Sequence, residues 1–339
     1  MRKNYIGKFE SKYLFLLEQN EYLNIIDNDN NCIGSINYKE ISSQYNISLI
    51  ANCYILNRIY FIFLAKNEEK EIKNLYSGLL DLNLKQYFPI SLPELNVSEI
   101  IDLIPLKDHT IIFEQNKIMF FGGFNLSDKG KIQKGCIAFD ISIYKFEKIK
   151  FSEFTLIPRF KCGSTSQNGI LYIIGGYSSF DQLDENITEL VQFAKYYEGK
   201  LHKFNVAKID NESPKLMIDN SVFIVDDRYV VSFSGFKYCK LWIMDTKDNT
   251  GKNYNLSDFG LDGKNDENNF YECIQCDIKD EKSITLTIAN LFNSKINIFF
   301  IFNITLNTFI KIILIIFSFN TIISQIIIFT RIIFSIHNP

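Results

Sequence analysis

The chain has 339 residues, 47% hydrophobic and 15% aromatic with 6 prolines, which excludes a largely disordered protein and leaves room for one large β-domain or two smaller ones. Its 36 basic and 39 acidic residues give a net charge of -3 without a basic stripe beside stacking aromatics, so no nucleic-acid partner is expected. The 7 cysteines are odd in number and irregularly spaced, which excludes a small disulfide scaffold.

Six short apolar runs organise the chain, beginning at Tyr13, Ile59, Ile118, Leu171, Tyr229 and Ile284. Their β-branched and aromatic content over so few residues predicts strands. The starts lie 46, 59, 53, 58 and 55 residues apart, a period of repeated four-stranded units that bury their faces against one another. The first run, Tyr13 to Leu17, is short and meets Glu18 at once, too little for a secretory signal. The Asn-x-Ser/Thr triplets at Asn46, Asn96, Asn125, Asn186, Asn211, Asn255 and Asn303 follow from the abundance of Asn. A reducing compartment, hence a cytoplasmic location, is expected for residues 1 to about 295.

Asp27-Asn-Asp-Asn-Asn31 imitates the start of a calcium loop, but Cys32 stands where the turn needs glycine and Tyr38 where it needs a bidentate carboxylate. A polar hairpin turn is predicted there. Beyond Ile59, Leu79 to Leu84 and Gln86 to Phe88 continue the second unit. Ile118-Met-Phe-Phe-Gly-Gly-Phe124 is answered by Leu171-Tyr-Ile-Ile-Gly-Gly-Tyr177 and, more weakly, by Tyr229-Val-Val-Ser-Phe-Ser-Gly235. Paired glycines after a buried strand fit a backbone that needs positive φ or meets a neighbouring backbone closely. Ile137 to Ile141 and Tyr144 to Ile149 then read as second and third strands of their unit. Thr188 to Lys195 fits a strand or part of an inserted helix, and Leu201 to Val206 returns to alternation. Polar stretches 67–74, 125–134, 178–186 and 245–253 are expected as loops on one rim.

Pro158-Arg159, then Cys162-Gly163-Ser164, then Gly169 to Tyr177 carry a resemblance to kelch repeats. They match that family's proline-arginine approach, small residues on the incoming strand and an apolar innermost strand closed by a double glycine. Phe139 with Phe146 loosely represents the later aromatic pair, while Trp242 sits too early for the terminal tryptophan. The clear resemblance covers about 110–250 and a relaxed version about 10–295. It implies an all-β, kelch-like β-propeller of six irregular blades over 10–307, followed by a hydrophobic tail at 308–339.

The tail lacks Asp and Glu, and Ile312 to Thr330 carries no formal charge between Lys311 and Arg331. Three readings stand: a transmembrane helix anchoring the chain at its C-terminus, strands that close the last blade, and an aberrant extension. Ile296 to Phe302 reads as a strand completing the sixth unit.

No residue is assigned a catalytic, cofactor-binding or metal-binding role. His109, His202 and His337 fall in different elements without a shared ligand pattern. Cys273-x-x-Cys276 is half of a zinc site without a second half, and positions three apart in a regular strand face opposite ways. Cys136, Cys162 and Cys239 are expected to fill small core spaces. Gly122-Gly123 and Gly175-Gly176 lack the residues of a phosphate loop. Phe124, Tyr177 and Phe236, beside the glycine turns, are read as blade packing rather than a binding patch. The family resemblance also includes copper oxidases with tyrosine and histidine ligands and a cysteine–tyrosine cross-link, which three histidines serve poorly. The expected function is therefore a non-enzymatic protein–protein interaction scaffold working through rim loops, without a cofactor and with an unidentified protein partner. The alternative is the same propeller anchored to a membrane by its tail.

Overall fold

Short β-branched and aromatic runs separated by tight turns form strands almost throughout. The computed structural model describes residues 4–9, 12–19, 22–27, 31–41, 46–67, 72–92, 105, 107–124, 132–152, 157–179, 191–203, 210–211, 213–214, 217–234, 240–255, 271–280, 283–290, 296–303 and 308–315. Among these, six four-stranded antiparallel meanders follow one another along the chain.

The first meander is β1 (Asn4–Phe9), β2 (Lys12–Gln19), β3 (Tyr22–Asp27) and β4 (Cys32–Asn37), followed by one helical turn, α1 (Tyr38–Ile41). The second is β5 (Asn46–Ile55), β6 (Arg58–Asn67), β7 (Ile72–Asp81) and β8 (Gln86–Ile90). The third is β9 (Lys107–Glu114), β10 (Lys117–Phe124), β11 (Cys136–Asp140) and β12 (Lys145–Ser152), and the fourth β13 (Gly163–Gln167), β14 (Ile170–Ile174), β15 (Val191–Tyr197) and β16 (Lys200–Lys203). A short β17 (Asp210–Asn211) precedes the fifth: β18 (Ser221–Val225), β19 (Tyr229–Ser234), β20 (Lys240–Asp245) and β21 (Thr250–Asn255). The sixth is β22 (Tyr271–Asp280), β23 (Ser283–Asn290), β24 (Ile296–Asn303) and β25 (Thr308–Ile315). β12 and β16 pair in parallel and join the third and fourth meanders into one eight-stranded sheet, while β17 extends the fifth beside β21.

All six apolar runs are second strands of their meanders, and the strand before each escaped the pattern. β13, for example, is Gly-Ser-Thr-Ser-Gln and only partly buried. These first strands adjoin one another in succession, β1 with β5, β5 with β9, β9 with β13, β13 with β18 and β18 with β22. They, rather than the glycine-ended strands, are innermost. The result is an almost all-β, propeller-like arrangement of sheets packed face to face.

Second strands are apolar on both faces because each serves two interfaces. In β6, Ile59, Phe61 and Phe63 pack toward the first sheet, and Tyr60, Ile62 and Leu64 toward the third. In β10, Ile118 and Phe120 join the interface with the second sheet, Met119 and Phe121 that with the fourth. β14 divides likewise, Leu171 and Ile173 toward the third sheet, Tyr172 and Ile174 toward the fifth. The two-residue period of a strand turns a continuous apolar run into two buried faces.

The ends of the sheets differ. At one, strands meet in connections of two to four residues, including two-residue turns at Leu56-Asn57, Gln115-Asn116, Asn168-Gly169 and Glu198-Gly199, all with positive φ. That is the mirror-image turn whose twist matches a hairpin. At the other, the connections after β10, β14 and β21 run through 125–135, 175–190 and 256–270.

Three expectations need correction. The transmembrane helix is contradicted: Thr308–Ile315, covering the start of the proposed span, is a strand paired with β24 along its length, and among the described residues no helix is long and apolar enough to cross a membrane. Isoleucine- and phenylalanine-rich sequence favours a pleated ladder when a neighbouring strand offers one. Residues 316–330 lie outside the described residues. Second, residues 245–253 are no rim loop but a four-residue turn leading into β21, at the tight-turn end. Third, β22 is not a regular strand: it carries a bulge between Cys273 and Gln275, so Cys273 pairs with Ile288 and Cys276 with Leu286, two residues apart on β23. The ambiguous 188–195 stretch resolves in part into strand β15.

Candidate functional site

The long-connection end is built around the glycine pairs. Gly122 and Gly123 have φ of 61° and 71°, Gly175 and Gly176 of 69° and 83°. Gly123 N donates to Arg159 O at 2.9 Å, and its counterpart Gly176 N donates to Met217 O at 2.7 Å. A Cβ on Gly122 would lie 1.9 Å from Arg159 O, and one on Gly175 2.0 Å from Met217 O. Each pair therefore ties its sheet to the next by backbone approach that only glycine permits.

A second chain of ties runs inside the first. Lys161 N donates to Asp108 O at 2.9 Å and Asp219 N to Lys161 O at 2.8 Å. All three residues, one before each first strand or at its start, have positive φ. The Lys161 ammonium meets the Asp219 carboxylate at 3.1 Å. Phe124, Phe160, Tyr177 and Ile218 pack together just above, with Phe160 and Tyr177 exchanging two backbone hydrogen bonds. Phe124 and Tyr177 are thus packing residues; Phe236 lies outside the described residues.

Arg159 enters from the chain before β13. Its guanidinium is buried, with Nη1 donating to Gly175 O at 3.0 Å and Nη2 to Gln192 Oε1 at 2.9 Å. Gln192 Oε1 also accepts Ile157 N at 3.0 Å. A small pocket lies here between the third and fourth sheets, lined by Arg159, Lys134, Gln133, Gln192, Phe121 and Ile157 among others. Burial pushes the Arg159 pKa down, yet a guanidinium stays charged at neutral pH.

The sequence's candidate chemistry is not gathered here. His109, on first strand β9, lies against Phe120 with the rings tilted by 49°, and its Nδ1 is enclosed without a hydrogen-bond partner among the described residues. Burial lowers its pKa to about 4, so it is neutral near pH 7. His202 sits on fourth strand β16, its Nδ1 2.7 Å from Ser152 Oγ and its ring stacked on Tyr197. His337 lies outside the described residues. Burial raises the Cys53 thiol to about 12 and Cys162 to about 11, leaving both protonated and unreactive at neutral pH. Among the described residues, no three His, Cys, Asp or Glu side chains converge as metal ligands. Asp27 of the calcium-like stretch instead closes β3, its carboxylate taking Asn31 N at 2.8 Å and Lys12 Nζ at 2.6 Å.

Of the pocket's polar side chains, the sequence motifs mark only Arg159, through the Pro158-Arg159 approach of the resemblance; Phe121, Gly122 and Ile173 belong to the glycine-ended runs. Gln133, Lys134 and Gln192 carry no periodic signal; the turn at 132–135 and the start of β15 bring them together.

No protein-family model matches the chain, and no curated protein matches it. By fold, 241 solved chains match, so the architecture is widely shared and selects no single activity. One of them, described as the "Structure of YjhT", has a TM-score of 0.52 at 10% identity, over 92% of this chain and 97% of that one. The chain is thus an almost all-β protein of propeller-like fold, and at that identity the likeness shows the fold alone.

Proposed function

We propose that this is a kelch-like propeller of six irregular blades acting as a non-catalytic scaffold that binds a protein partner through its long-connection end. The carrying observation is the difference between the two ends. One has only connections of two to four residues, while the other, beside short connections at 20–21 and 68–71, carries the longer connections through 125–135 and 175–190 next to the backbone ties of Gly123 and Gly176. Loops on a rigid frame lose little entropy on binding, and recognition concentrates there. The protonated thiols and the separated His109 and His202 favour recognition over catalysis.

A photo-reactive phenylalanine placed in the full chain tests this. At Lys134 or Ser178, on the long-connection end, it is expected to give adducts of defined mass in cell extract. At Lys85 or Tyr144, on the tight-turn end, it is expected to give none. Adducts confined to the tight-turn end, or absent from both, overturn the proposal.

A further inference from the structure

We propose that the pocket between the third and fourth sheets is a carboxylate site, taking an acidic side chain of the partner; this rests on the long-connection end being the contact surface. Its charge comes from Arg159 and Lys134, and no Asp or Glu is among the described residues that line it. That excludes a cation and calls for an anion.

The guanidinium is placed before any ligand arrives. Arg159 is 2% exposed and is held in plane by Gly175 O at 3.0 Å and Gln192 Oε1 at 2.9 Å. Because Gln192 Oε1 already accepts from Arg159 and Ile157, its amide N–H groups are what Gln192 has to offer a ligand. Lys134 is exposed at the mouth, where it can meet an incoming charge. Phe121 is buried behind the space, and the partly exposed Ile157 gives its rim an apolar surface on which a methylene stem can lie. The space admits about one water-sized group, so a single carboxylate oxygen enters it while the rest of the acid stays at the mouth, and a nucleotide or a sugar ring is excluded. Walls that keep water out strengthen charge-assisted hydrogen bonds to a seated carboxylate.

The same chemistry could come from a free small acid, so the test has two arms. In the full-length chain labelled with nitrogen-15, the amides of Gly122, Gly123 and Gly135 are followed by NMR. The titrants are a Gly–Ser peptide bearing one Glu, its Gln twin, and sodium acetate. The Glu peptide is expected to shift these amides saturably and the Gln twin to leave them in place. Lys134→Met is expected to weaken the Glu peptide about tenfold without changing thermal unfolding, as for the loss of one charge-assisted contact. Equal response to both peptides, no response to either, or an unaltered Lys134→Met variant overturns the site. Response to acetate without response to the Glu peptide overturns the partner assignment in favour of a free acid. Photo-adducts at Lys134 and Ser178 with silent glycine amides overturn the carboxylate site and leave the scaffold standing; shifted amides with no adducts at either end do the reverse.

Discussion

At the tight-turn end, a repeated side-chain device ties strands within one sheet, beside cross-sheet bonds from Gln115 and Gln167; at the long-connection end, backbone groups join adjacent sheets, beside the Lys161–Asp219 ion pair. The tight-turn end repeats one device. An aspartate ends the third strand of four meanders, Asp27, Asp81, Asp140 and Asp245, and meets a basic residue at or just before the second strand, Lys12, Arg58, Lys117 and Arg228. Its other oxygen accepts backbone N–H groups of the following turn, from Asn31, Asn83 and Leu84, Ser142, or Lys247. One side chain thus closes a turn and ties two strands, and changing it leaves neighbouring sheets alone. At the other end, Gly123 N to Arg159 O and Gly176 N to Met217 O bind adjacent sheets, so one added methyl disturbs two sheets at once. The difference teaches that the first end is coded locally and the second only by the assembled sheets.

The sharpest way to break that contrast is to add the same methyl at both ends. Gly122→Ala puts a Cβ 1.9 Å from a backbone oxygen at a φ of 61°, and a loss of about 4 kcal/mol or more is expected in urea unfolding. Gly199→Ala has a left-handed φ too, 71°, but nothing within 4 Å, and should cost only about 1 kcal/mol. Equal losses would sink the distinction between close approach and turn strain.

Acid separates the ends by pH. At the long-connection end, burial lowers His109 from 6.5 to about 4. Between those values the unfolded chain binds a proton that the folded chain refuses, so stability falls as pH drops through that window, by at most about 3 kcal/mol. At the tight-turn end, burial acts to raise Asp140 and Asp245, but bonds from Lys117 and Ser142 and from Arg228 and Lys247 outweigh it and hold both below 3.8. Their stabilisation is complete above 3.8 and is lost only as pH falls further, through the folded values. Urea midpoints taken against pH should therefore show two descents. His109→Gln removes the upper one, and Asp140→Asn combined with Asp245→Asn flattens the lower one; a single descent untouched by His109→Gln counts against this order.

The smallest expected effect is a gain. Leu56 is 89% exposed at a φ of 48° in a two-residue turn. Leu56→Asn suits that backbone better and should raise stability by about 0.5 kcal/mol, read as a higher urea midpoint. A loss would mean that Leu56 packs on something its exposure does not reveal.

The second strands were legible because Ile59 to Leu64, Ile118 to Phe121 and Leu171 to Ile174 are apolar at every position, as strands buried on both faces must be. The glycine pairs were legible for the same backbone reason that the structure shows. First strands lack that apolar pattern: β13 is polar and is marked at Cys162 to Ser164 only by the kelch resemblance, because its Ser164 and Ser166 donate to carbonyls of Ile111 and Phe113 on the neighbouring sheet, partners 53 residues away. The tail misled because a strand and a membrane helix of Ile and Phe look alike until β24 is seen to offer its edge.

By itself, the sequence determined what is local: strand-forming runs at starts 46 to 59 residues apart, a polar turn at Asp27 to Asn31, and glycine pairs that end buried strands. Only the tertiary structure decided which strand is innermost, which connections share an end, and that Lys134, Arg159 and Gln192 line one pocket. The reason is physical. Strand propensity and turn chemistry act over a few residues, whereas the meeting of two sheets is set by interlocking side chains and backbones that lie far apart in the chain.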